Sequence, residues 1–83
     1  MKLIVHPRIR AKHPELSEED VRTAFNGMFK HVHRLDGDLV GVGMDGKRRL
    51  VEVVARCVDD TIIVYHAFTP PTQKVMRELG MLR

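Results

Sequence analysis

The chain has no tryptophan, one tyrosine and one cysteine among its 83 residues. The lone Cys57 excludes an internal disulfide framework and a cysteine-rich zinc knuckle, and it suits a reducing compartment. No apolar run approaches the roughly 20 residues that cross a bilayer. The first one, Leu3, Ile4 and Val5, is stopped by His6-Pro7-Arg8 and is also too short for a signal peptide. The expected location is the cytoplasm, with no membrane contact. Internal repeats, low-complexity tracts and linkers are missing as well, which leaves one domain over residues 1–83. A chain of this length buries only roughly 60–65% of the surface its unfolded form exposes. A core that thin calls for a partner protein or a second copy, so a homodimer is one expectation.

What is present points to a folded, basic protein. Hydrophobic residues make up 43% of the chain and charged residues 30%, with a net charge of +3. The charge is uneven: between Lys2 and His13 stand Lys2, Arg8, Arg10 and Lys12 with no carboxylate. Such a patch can meet phosphate, although a solvated basic surface has the same composition.

Local patterns set the fold class. "KLIVH" reads as a short strand cut by Pro7, and "PRIRAKHP" as either one helical turn or an extended arm. Ser17 is a helix N-cap, followed by Glu18, Glu19 and Asp20 in the first turn. Val21, Ala24, Phe25 and Met28 recur at i, i+3, i+4 and i+7, and Asn26-Gly27 marks the helix end. Four strand candidates follow, "FKHVHRL", "LVGVGM", "KRRLVEVVARC" and "TIIVYHAF", separated by Asp36-Gly37-Asp38, Asp45-Gly46 and Val58-Asp59-Asp60. The closing helix has Thr69 as cap and Val75, Met76 and Leu79 on its apolar side, with Gly80 past its end. The order β-α-β-β-β-β-α predicts an α+β domain, a four-stranded antiparallel meander with an N-terminal strand as a fifth candidate, packed with two helices.

Turn lengths then predict which side chains meet. A two-residue Asp45-Gly46 turn sets Gly43 against Arg48, Gly41 against Leu50 and Leu39 against Glu52, and a three-residue last loop sets Glu52 against His66. One face then carries Val40, Val42, Val51, Val53, Ala55, Tyr65 and Ala67 under the helices. The other carries Arg48, Leu50, Glu52, Arg56 and His66 around a bare floor of Gly41 and Gly43. Arginines hold phosphate by forked hydrogen bonds, and a Glu–His pair can move a proton. This predicts His66 and Glu52 as acid/base residues and Arg48 and Arg56 as phosphate ligands. The competing reading makes His66 a core-edge histidine bonded to Glu52 without chemistry, and "GVGMDG" a lightly packed strand. His31 and His33, spaced by two on one strand, are a weak alternative as metal ligands, with Glu52 or His66 as a third. Cys57 falls with the buried valines and is expected to be inert. No cofactor is expected.

The segments "AKHPELSEEDVRTAF", "VGVGMDGKRRLVEVV" and "IIVYHAFTPPTQKVMRELG" resemble the BrnT-like toxins of the RelE/ParE-like superfamily of type II toxin–antitoxin systems. The resemblance runs from about His6 to Gly80. It implies a metal-independent RNA-cleaving toxin held by a cognate antitoxin, with Lys12 and His13 as further RNA contacts. The family ends its last strand in an arginine that is implicated in activity. Here Tyr65-His66-Ala67-Phe68 occupies that region, and His66 stands near the place of the arginine. Two readings follow: an RNA-cleaving toxin, or a non-catalytic module that binds a protein or a nucleic acid through its sheet.

Overall fold

The computed structural model describes residues 1–82. The chain forms β1 (Lys2–Val5), α1 (Arg8–Lys12), α2 (Glu18–Asn26), β2 (Met28–His33), β3 (Leu39–Met44), β4 (Leu50–Val58), β5 (Thr61–Phe68) and α3 (Gln73–Glu78). This is the α+β architecture expected, with "RIRAK" resolved as a one-turn helix. The sheet order is β1-β5-β4-β3-β2. Strands β2 to β5 form the antiparallel meander, and β1 adds to its far edge parallel to β5.

The helix starts follow from their caps. Ser17 accepts from the Asp20 backbone N–H at 3.0 Å, and the Asp20 carboxylate accepts from the Ser17 N–H at 3.0 Å. This reciprocal pair satisfies two donors that an open helix end would leave orphaned. The last helix begins later than expected: Thr72, not Thr69, is its cap, and its hydroxyl accepts from the Val75 N–H at 3.3 Å. Thr69 instead donates its hydroxyl to the Leu50 carbonyl at 2.6 Å.

The turns decide the faces. Strand β3 pairs with β4 so that Met44 opposes Leu50, which leaves residues 45–49 as the loop. The Asp45 side chain organises that loop by accepting from the Lys47 and Arg49 N–H groups, each at 2.9 Å. The left-handed residue is Arg48, with φ 63°, rather than Gly46. The two-residue Asp45-Gly46 turn is therefore corrected, and the predicted β3–β4 partners change with it. Gly41 and Gly43 oppose Val53 and Val51.

The single apolar face becomes two. Val51, Val53, Ala55, Val64 and Ala67 pack with Ile9, Leu16, Val21 and Ala24 on the side of α1 and α2. Val40, Val42 and Val54 pack with Val75 and Leu79 of the α3 region, and Tyr65 and Met81 close that second cluster. The sheet is thus a middle layer with both faces covered. The bare glycine floor does not exist. A Cβ on Gly43 would run into the Ala24 carbonyl, 2.9 Å from its carbon, and one on Gly41 would lie 3.0 Å from the Lys30 carbonyl oxygen. These glycines let α2 and the start of β2 lie close on the sheet.

The expected burial of Cys57 is also corrected. Arg56, Cys57 and Val58 are exposed, because β4 runs past the cover of the helices at this end.

Candidate functional site

Strands β4 and β5 join through Asp59-Asp60, with Val58 opposite Thr61 and Asp59 at φ 54°. This loop is one residue shorter than expected. By itself it would turn His66 to the opposite face from Glu52. A bulge intervenes: Ala55 opposes Val64 while Val54 opposes His66, so Tyr65 is the extra residue. Beyond the bulge Glu52 opposes Phe68. The combined shift from the expected register is two residues, and a shift of two preserves the face. His66 and Glu52 are diagonal neighbours rather than direct partners, and Nε2 of His66 lies 2.8 Å from Oε2 of Glu52.

Glu52 is buried, with 3% of its side chain exposed, whereas His66 is 41% exposed. The second carboxylate oxygen of Glu52 accepts from the Thr72 N–H at 2.6 Å and from the Thr72 hydroxyl at 2.9 Å. Burial pushes the Glu52 carboxyl up, but the bonds from His66 and Thr72 outweigh it and hold the group below its usual range. Glu52 therefore ties β4 to both β5 and the cap of α3.

Above this pair opens a cleft of about 420 Å³ between α1, β5 and α3. Lys12, His13, Glu52 and His66 all line it, which brings together four of the residues singled out from the sequence. His13 sits at the C-cap of α1 and packs its ring edge-on against Phe68, with centroids 5.0 Å apart. Arg8, Arg34, Tyr65, Thr72 and Lys74 complete the wall. Of these, Arg8 belongs to the basic N-terminal run. The other four carry no local signal that marks them: the bulge places Tyr65, the late start of α3 places Thr72 and Lys74, and Arg34 is held there by Glu78.

The two arginines proposed for phosphate do not join the site. Arg48 lies on the loop between β3 and β4 and is absent from the cleft wall. Arg56 is taken by Asp38, with Nε 2.8 Å from Oδ1 and Nη2 3.3 Å from Oδ2, and its guanidinium lies 5.6 Å from the centre of the Tyr65 ring. The hydrogen bonds from Arg56 and from the Tyr65 hydroxyl hold the buried Asp38 carboxyl low, and burial together with Asp38 pushes the Tyr65 phenol up. Lys47 and Arg49 reach the buried Asp20 at 3.1 Å each, and Arg49 also grips Asp45 at 2.7 Å. Thus the four guanidinium, imidazole and carboxylate groups do not converge as the nuclease geometry required.

His31 and His33 do share a face of β2, with ring centroids 6.0 Å apart and planes at 89°. Strand β2 is the sheet edge opposite β1, so Glu52 and His66 are strands away. Among the described residues no group of three or more His, Cys, Asp or Glu side chains is placed to hold a metal ion. No helix among them is long and apolar enough to cross a membrane.

No family model and no solved structure matches the chain. It is 35% identical over 60 residues to the small ribosomal subunit protein bS6 of Dictyoglomus turgidum, covering 72% of this chain and 62% of that protein. The chain thus spans less than two thirds of the length of this relative. The likeness to a ribosomal protein overturns the BrnT-like, RelE/ParE-like assignment, and with it the RNA-cleaving toxin and its cognate antitoxin. Of the two readings, the non-catalytic binding module is the one that agrees with it.

Proposed function

We propose that this chain is a non-catalytic RNA-binding module that works in the cytoplasm as part of a ribosomal particle, with ribosomal RNA and ribosomal proteins as its partners. The observation that carries the reading is the 35% identity over 60 residues to a small ribosomal subunit protein. The distribution of charge supports it. The buried acids Asp20, Asp38 and Asp45 are neutralised by Lys47, Arg49 and Arg56. Arg8, Arg10 and Lys12 are exposed on α1 and form no ion pair among the described residues. Cations left free on one short helix are available to a phosphate backbone, which supplies most of the affinity in such complexes.

The test is a binding titration of labelled ribosomal RNA fragments over a range of salt. Three phosphate contacts predict a slope of log K against log salt of about −2 to −3. Arg10→Ala should make that slope shallower by roughly 0.7–0.9. The RNA should be recovered at full length. Absence of binding at about 50 mM salt, or cleavage of the RNA, would refute the reading.

A further inference from the structure

We propose that the cleft between α1, β5 and α3 is a receptor for a phosphate group, and that His66, aimed by Glu52, is one of its donors. The proposal rests on the RNA-binding reading for the source of the phosphate, but not for the existence of the site.

Three features point to an anion. Arg8, Lys12 and Lys74 line the cleft, and none of them has a carboxylate partner among the described residues. A fourth cation in the wall, Arg34, is occupied by Glu78 through two bonds of 2.8 and 2.9 Å. Secondly, the one carboxylate lining the cleft faces inward. Both oxygens of Glu52 already accept hydrogen bonds, from His66 and from Thr72, and its side chain is 3% exposed. It offers nothing to a bound cation and does not confront a bound anion.

The third feature is the orientation of the imidazole. A carboxylate can only accept, so the bond to Glu52 places a hydrogen on Nε2 of His66. Nδ1 has no partner among the described residues, and His66 lines the cleft. In the neutral ring Nδ1 is an acceptor; in the imidazolium it is a donor. A phosphate in the cleft therefore favours the protonated ring, and the protonated ring favours the phosphate. The other groups facing this space act in the same direction or are already satisfied. From α1 come Arg8 and Lys12, with His13 at its cap facing Glu15 at 3.6 Å, from the segment after β2 Arg34, paired with Glu78, from α3 Lys74, and from β5 the Tyr65 hydroxyl, which is bonded to Asp38. Glu52 is a positioning residue here. The volume, about 420 Å³, lies in the range of small-ligand sites and holds a phosphate with its sugar.

Two sources share this chemistry: a phosphodiester within RNA, and a free phosphate such as a mononucleotide. The experiment uses the intact chain with three probes, a single-stranded RNA oligonucleotide, 5′-AMP and inorganic phosphate. Binding is followed by titration and by the NMR signals of the His66 ring. The expected result is that RNA binds and that the ring signals of His66 move on binding. The Lys12→Ala/Lys74→Ala double variant, altered only at exposed positions, should bind on the order of tenfold more weakly. His66→Asn, which removes the ring but keeps a polar side chain, should bind several-fold more weakly. If RNA binds with unchanged affinity to both variants and the His66 signals stay still, the cleft is not the receptor, while the RNA-binding reading stands. If 5′-AMP or phosphate shifts His66 but RNA does not bind, the receptor stands and the RNA-binding reading falls. If none of the probes binds, both are wrong.

Discussion

Gly43→Ala should destabilise the fold severely, because the added methyl points into backbone. Carbon–carbon contacts relax at about 3.5–4.0 Å, whereas a Cβ at Gly43 would stand 2.9 Å from the Ala24 carbonyl carbon and 3.1 Å from the Met28 nitrogen. Neither atom can rotate away. The Ala24 carbonyl oxygen is nearer still, so the helix α2 would have to lift by roughly 1 Å or more, and a gap of ~0.5–1 Å already forfeits a quarter to a half of the dispersion energy across it. The face affected includes Val21 and Ala24, which are fully buried against β4. Overpacking of this kind costs about 1–3 kcal/mol, and the rigid partners place it near the upper end. Against a total of roughly 4–12 kcal/mol for a domain of this size, the loss is large. With a urea m-value near 1–1.5 kcal/mol/M, the midpoint should fall by about 2 M. Gly46→Ala is the control, since a Cβ there meets nothing. If Gly43 instead lay on an open face, alanine would gain roughly 0.5–1 kcal/mol. A midpoint equal to or above that of the parent chain would therefore refute the β3–β4 register.

Other expectations follow from the caps, the buried acids and the exposed end of β4. Ser17→Ala removes the cap of α2 and should cost about 1 kcal/mol in equilibrium unfolding. Acid should unfold the protein. Hydrogen bonds from Arg56 and Tyr65 lower Asp38, and those from Arg34 lower Glu78; Asp20, Asp45 and Glu52 are lowered although burial opposes it. Groups whose folded pKa is depressed contribute stability above the unfolded value and lose it as pH falls through the folded one. Stability should thus be level near neutrality and drop below about pH 4, as circular dichroism with denaturant at each pH would record. Cys57 should react with a thiol reagent in the native state at the rate of an exposed thiol, and Cys57→Ser should change stability by less than ~0.5 kcal/mol. Slow labelling limited by unfolding would show that the end of β4 is covered.

Much of the fold is written in short-range chemistry. The Ser17–Asp20 box, the heptad-like spacing of Val21 and Ala24, the Gly80 ending and the succession of strands are local signals, and each marks a real element. The faces are not local. They depend on how many residues each turn consumes, and Asp45-Gly46 looks like a tight hairpin while Asp45 in fact organises a loop through Arg49. A two-residue turn there would move Gly41 from under β2 side chains and Gly43 from beneath α2 to a surface that is not there. The Glu52–His66 contact was legible for an accidental reason: a shorter turn and a bulge at Tyr65 each shift the register by one, and together they restore the face. Thr72 and Lys74 could not be placed because their position depends on where α3 begins. The arginines failed differently. Arg56 has the right chemistry for phosphate, but the buried Asp38, just ahead of the neighbouring strand β3, claims it first.

The two apolar clusters are unequal. Ten buried side chains hold α1 and α2 to one side of the sheet, and five hold the α3 region to the other. The tail is thus the first part to loosen when the molecule breathes, and it carries one bank of the cleft. Whatever bridges Lys74 to Lys12 fastens the tail to the opposite end of the chain, so occupancy would be recorded far from the ligand, as slower amide exchange at Val40, Val42 and Val54.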